Sequence, residues 1–187
     1  MSRIAAIVLA AGTSARMGPE NKLLADLAGE PVLRRTVSNV LTSRARPVIV
    51  VTGHDAALVG EALEGLAVSL VHNDRFAEGM ATSLAAGVAA VPADADGALI
   101  CLGDMPLVEG NVIDALIDAG AADEGRSVAV PVHAGQRGHP VLWGRRYFTA
   151  LQRLTGDAGA RSLLEANAGQ VMEVDIGDDT IFADADT

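Results

Sequence analysis

"VLAAGTSARMGPENK", residues 8–22, ends an apolar run begun at Ile4 and opens into a glycine-bearing loop that carries both an arginine and a lysine. The run IAAIVLAAG is too short for a secretory signal or a membrane span and passes straight into a turn, so it reads as a first buried strand. Gly12 permits a sharp turn or the close approach of a ligand, and unpaired N–H groups in such a turn form a nest for anions. Arg16 offers a planar fork of donors and Lys22 a mobile point charge, a combination suited to a polyphosphate. The plainer alternative is two solvated surface cations. Neither common phosphate template applies. Gly18 is followed by Pro19 where a Walker loop needs Lys-Ser/Thr, and the three spaced glycines of a dinucleotide loop are absent.

Working outward from this loop, short apolar runs alternate with amphipathic segments, the pattern of a parallel sheet covered by helices on both faces. Strands are expected at 4–12, 47–53, 68–73, 97–104, 127–132 and 171–176, with helices from Pro31 and over about 55–66, 79–91 and 110–120. After residue 133 the segment GQRGHPVLWG (135–144) reads as a turn and an extended stretch, followed by two helical stretches. The expected fold is a single-domain, Rossmann-like α/β protein spanning 1–187. About 1–132 would bind nucleotide, about 133–176 would face an acceptor, and 177–187 would form an acidic tail with a frayed end and solvated charges.

The net charge of −10 argues against a nucleic-acid or anionic membrane partner, so any anion must be met locally. One cysteine, Cys101, excludes an internal disulfide, and within ALICLG it reads as a buried small hydrophobe. His54, His72, His133 and His139 lack the spacing of a structural zinc site. A cytoplasmic protein is expected.

Other positions invite chemistry, each beside a plainer role. Asp104 in LICLGDMP sits at a strand end, where a carboxylate suits Mg²⁺, an ion that takes few protein ligands and completes its shell with phosphate and water. It equally suits a turn. Gly79, Thr82 and Ser83 open a helical stretch, where hydroxyls cap the helix or meet phosphate. His139 reads as a structural histidine or a site residue, and Asp157 as an N-cap or a second metal contact.

The loop LAAGTSARMGPENK resembles the signature of the molybdenum cofactor nucleotidyltransferases, a family of NTP transferases with a Rossmann-like fold. That resemblance implies that Leu9, Ala10, Ala11 and Gly12 lie along the nucleotide and that Arg16 and Lys22 hold its phosphates. GDMP (103–106) matches the family motif in which Gly103 borders the nucleotide and Asp104 binds its magnesium, with manganese as a substitute. GMATSL (79–84) resembles a further nucleotide segment through Gly79, Thr82 and Ser83, although Ala81 stands where the family often has serine. Arg137, Gly138 and His139 in RGHP look like the mark of the cytidylyltransferase branch, near the acceptor. GDAGAR (156–161), with Asp157, resembles another motif of that branch.

The implied reaction is attack by an acceptor phosphate on the α-phosphorus of CTP with release of pyrophosphate, which needs no covalent enzyme intermediate. The implied acceptor is the terminal phosphate of molybdopterin, and a molybdoenzyme would receive the product. Ala11, where guanylyl-transferring relatives usually have glycine, suggests a methyl that narrows the base site against purines. GTP or another phosphorylated acceptor remains an alternative, as does a non-catalytic cofactor-binding module. A Rossmann oxidoreductase is disfavoured because its glycine fingerprint is missing.

Overall fold

The computed structural model describes residues 3–12, 21–122, 127–156 and 159–185. The apolar run from Ile4 forms strand β1 (Ile4–Ala10), and its alternation decides the layering. Successive side chains of a strand point to opposite faces. Ile4, Ala6, Val8 and Ala10 enter one apolar layer, while Ala5 and Ile7 enter the other. A strand buried on both sides is apolar at every position, hence the unbroken run.

A small antiparallel pair, β2 (Asp26–Leu27) and β3 (Glu30–Pro31), precedes helix α1 (Val32–Thr42). Then come β4 (Val48–Thr52), α2 (Ala56–Ala62), β5 (Ser69–His72), α3 (Met80–Ala89), β6 (Gly97–Leu102) and α4 (Gly110–Ala122). The remainder comprises β7 (Val128–His133), β8 (Gln136–Arg137), β9 (Val141–Gly144), α5 (Phe148–Gln152), α6 (Arg161–Ala166) and β10 (Val171–Asp175).

The main sheet runs β10-β7-β9-β6-β1-β4-β5, with β8 returning onto β7. Pairs β6–β1, β1–β4, β4–β5 and β10–β7 are parallel, whereas β9 lies antiparallel between β6 and β7. The chain winds from β1 through β4 to β5 and then crosses to β6 on the other side of β1. Ligands of open α/β sheets bind at such a reversal, beyond the carboxyl ends of the strands. Leu33, Val37, Val59, Ile113 and Leu116 pack α1, α2 and α4 on one face; Leu84, Val88, Phe148 and Leu151 pack α3 and α5 on the other. Among the described residues, no helix is long and apolar enough to cross a membrane.

Three features depart from the sequence reading. Helix α2 stops at Ala62 because the chain turns through Gly65, whose φ is +82°. The extended stretch after residue 133 becomes two strands, and β9 inserts into the sheet. The acidic tail is docked, not frayed, through Ala185: Ile181 is fully buried against Met105, Val108 and Val112, and Ala185 N donates to Asp104 O at 2.8 Å. The carboxylates of Asp178 and Asp179 do face solvent.

Candidate active site

The parallel register sets Leu9 beside Leu102, so the chains leaving β1 and β6 emerge side by side. Gly103 N donates to Leu9 O at 3.0 Å, and a Cβ on Gly103 would fall 2.8 Å from that oxygen. Glycine is therefore required there, and Asp104 follows at the lip of the sheet. Across the lip the chain returns at Asn21, which is buried and accepts from Leu23 N at 3.1 Å while its amide approaches Asp55 Oδ2 at 3.3 Å. This cap starts a short 3-10 turn over Lys22–Leu24, with Leu23 anchored in the core. The result is an ion pair: Lys22 Nζ lies 2.7 Å from Asp104 Oδ2, with the two side chains only 18% and 17% exposed.

Of the other expected positions, Arg16 and Asp157 lie outside the described residues. Leu9 is half-buried, whereas Ala10 and Ala11 are interior, 3% exposed or less. A Cβ on Gly53 would lie 2.9 Å from the Ala11 methyl and 2.6 Å from Phe76 Cβ. That methyl thus packs toward Gly53 and Phe76. Gly12 is exposed, and among the described residues a Cβ there would meet nothing within 4 Å.

Gly79 precedes α3 with φ of +113°, and no side chain caps that helix. The Thr82 hydroxyl instead contacts the carbonyl oxygens of Arg75 and Gly79, both at 2.9 Å. The amide of buried Asn73 donates to Thr82 Oγ1 at 2.8 Å and to Ser83 Oγ at 3.0 Å, while Asn73 Oδ1 accepts from Arg75 N at 3.0 Å. The sequence reading passed over Asn73; its one signal was a polar residue just past β5, as Asp104 is just past β6. Ala81 N donates to Gly156 O at 3.1 Å, which brings the GDAGAR segment against the start of α3.

The acceptor-side residues separate. Arg137 Nε donates to Glu173 Oε1 on β10 at 2.8 Å, across the outer part of the sheet. Gly138 is buried against Ile181. His139 packs inward, lining a small cavity with Thr36, Val40 and Cys101, and its buried Nδ1 has no hydrogen-bond partner among the described residues. Burial pushes its imidazole below its ordinary range, opposed by the nearby Asp104 carboxylate. Burial also pushes the Cys101 thiol up to about 12.

A hollow of about 580 Å³ lies at the opposite end of the sheet, lined in part by Arg3, Arg44 and Arg46. Its guanidinium groups are engaged: Arg3 with Asp94, Arg44 with Asp118 at 2.7 Å, and Arg46 with main-chain carbonyls near the end of α1. The Lys22–Asp104 pair lies instead at the lip between β1 and β6. No cluster of three or more His, Cys, Asp or Glu suited to a metal occurs among the described residues. A divalent ion is compatible with Asp104 as its carboxylate, completing its shell from phosphate oxygens and water. That Lys22 rests on this carboxylate shows the position attracts a cation.

The family model for the MobA-like NTP transferase domain matches residues 6–171. The molybdenum cofactor cytidylyltransferase of Escherichia coli is 30% identical, over 98% of this chain and 96% of that protein. A probable molybdenum cofactor guanylyltransferase of Mycobacterium avium is 29% identical, over 90% and 84%. The bifunctional protein GlmU of Acidovorax ebreus is 37% identical over 66% of this chain, which spans 27% of that longer protein. The crystal structure of Rv0371c from Mycobacterium tuberculosis superposes with a TM-score of 0.88 at 30% identity, covering 100% of this chain and 93% of that one. A manganese complex of Rv0371c gives 0.82 at 27% identity, covering 95% and 90%. With the switch-point lip and a family match over most of its length, this chain belongs to the MobA-like NTP transferases.

Proposed function

We propose that the chain transfers CMP from CTP to the terminal phosphate of a molybdopterin-type acceptor, releasing pyrophosphate. The observation that carries this reading is the Lys22–Asp104 pair at the switch point, a cation and a carboxylate 2.7 Å apart where a triphosphate and its metal would meet. In the reaction an acceptor phosphate oxygen forms a bond to the α-phosphorus while the bond from that phosphorus to the bridging oxygen of pyrophosphate breaks. Lys22, with Arg16, offsets the charge that accumulates on the departing pyrophosphate, and the main chain at Gly12 approaches the phosphates. A divalent cation held by Asp104, Mg²⁺ or Mn²⁺, supplies charge neutralisation and orients phosphate oxygens when bound. Asn73 holds the turn before α3 that would border the nucleotide, and Asp157 is assigned as a second carboxylate toward the cation. Arg137, Gly138 and His139 are assigned to the acceptor half. Delivery to a molybdoenzyme and a cytoplasmic setting belong to the same proposal.

Cytidylyl over guanylyl transfer is supported by Ala11 and by similarity to the E. coli cytidylyltransferase along nearly the whole chain. The M. avium relative favours a second reading, GMP transfer. The test supplies each of the four nucleoside triphosphates with Mg²⁺ or Mn²⁺ and molybdopterin-type acceptors, and follows pyrophosphate. CTP-dependent release is expected. Exclusive use of GTP selects the second reading, and no release with any nucleotide rejects both. In the active combination, Arg16→Ala and Asp104→Ala should each lower turnover by about 10²–10³.

A further inference from the structure

We infer that the C-terminal segment 176–185 is a strap that positions Asp104, with Ile181 and Ala185 as its positioning residues. This rests on the reading of Asp104 as the carboxylate that faces the divalent ion. The segment leaves β10 with Ile176 N donating to Val132 O at 3.0 Å, then makes a 3-10 turn over Thr180–Phe182. That turn drives Ile181 to full burial beneath the Gly-Asp-Met-Pro bend, where it packs with Met105 and Val108. Beyond it, Ala185 N donates to Asp104 O at 2.8 Å. The acid-bearing bend is therefore gripped from two sides: Gly103 N is tied to Leu9 O at 3.0 Å on the strand side, and Asp104 O to the strap on the other.

The same segment explains a glycine. A Cβ on Gly138 would fall 2.5 Å from Ile181 O and 2.8 Å from Ile181 Cβ, and the next residue, His139, donates its N–H to Ile181 O at 3.1 Å. The two stretches around Asp104 and His139 thus share one support, a fully buried isoleucine near the end of the chain. A carboxylate at the end of a strand has a free bend after it. Anchoring that bend in an apolar contact and a backbone hydrogen bond fixes the direction of its side chain before any ion arrives. Groups that orient a ligating carboxylate typically change metal affinity by about 10–100-fold when removed.

The experiment measures Mn²⁺ binding to the protein by electron paramagnetic resonance, with and without CTP, beside urea unfolding of each variant. Ala185→Pro deletes the N–H that donates to Asp104 O, and Ile181→Ala empties the contact under the bend. Both should weaken Mn²⁺ binding about tenfold or more, while Ile181→Val binds like wild type. Ile4→Ala, at the far end of β1, should lower the urea midpoint and leave Mn²⁺ affinity unchanged. Wild-type affinity in both Ile181→Ala and Ala185→Pro overturns the inference, as does an equal loss in Ile4→Ala, which would reduce the strap to general stability. Asp104→Asn separates the two levels. If it binds Mn²⁺ like wild type, the assignment of Asp104 fails and the strap inference falls with it. If it abolishes binding while the strap variants are unaffected, only the strap inference fails.

Discussion

If Asp104 receives the divalent ion as proposed, Lys22 competes for that carboxylate, and replacing it should have opposite effects with and without nucleotide. Two unit charges 2.7 Å apart attract by ~6 kcal/mol at an effective dielectric of about 20. Most of that is offset by the desolvation of both ions. Exposed pairs are worth about 1 kcal/mol or less, whereas breaking a fully buried one costs about 3–5 kcal/mol. With side chains 18% and 17% exposed, this pair falls between those limits. A net of about 1–2 kcal/mol, or roughly 5–30-fold in an equilibrium constant, follows. A metal binding without nucleotide must displace the ammonium and forgo that amount. Lys22→Met keeps the stem and removes the charge, so nucleotide-free protein should bind Mn²⁺ about 5–30-fold more tightly than wild type. With CTP present the variant lacks the phosphate contact proposed for Lys22, and turnover should drop about 10²–10³-fold. Titration followed by the Mn²⁺ resonance signal, with Asp104→Asn as the blank, reads the first effect directly. Unchanged or weaker Mn²⁺ binding by nucleotide-free Lys22→Met would refute the reasoning, because the ammonium would then not be competing for the carboxylate.

Three further predictions concern groups around the site. Asn73→Ala leaves Arg75 N, Thr82 and Ser83 without their shared partner; urea unfolding should report a loss of about 1–3 kcal/mol, and KM for the nucleotide should rise more than kcat falls. His139 has its pKa lowered in the fold, so the unfolded chain binds its proton first as pH drops below the ordinary value of 6.5. Its contribution is intact above that value and is lost as pH falls toward the depressed folded pKa, and His139→Gln should flatten this part of the urea midpoint measured between pH 7.5 and 5.5. Cys101, with its thiol pushed up to about 12, should not react with a disulfide reagent at pH 8 until the protein unfolds; rapid labelling of the native protein would show that the site opens.

Local pattern carried much of this molecule. The unbroken apolar runs at Ile4 and Gly97 specify strands buried on both faces, and the helical spacing of Leu33, Val37 and Val40 specifies the face of α1, because these periodicities follow from backbone geometry alone. Cations after one strand and an acid after another were likewise visible, since a strand end is a local property. Strand direction was not. VLWG in β9 is equally apolar read either way, and its insertion antiparallel between β6 and β7 depends on hydrogen-bond partners remote in the chain. The burial of the Ala11 methyl, directed toward Gly53 and Phe76, likewise depends on segments distant in the chain. The tail shows the same limit: its acidic composition predicted solvated charges, and the docking of Ile181 against Met105, Val108 and Val112 depends on partners about seventy residues away. What the sequence determined by itself were the elements and the kinds of chemistry available. That Lys22 meets Asp104, and that residue 185 holds residue 104, was decided by the tertiary structure, because burial and hydrogen bonding join positions that no periodicity relates.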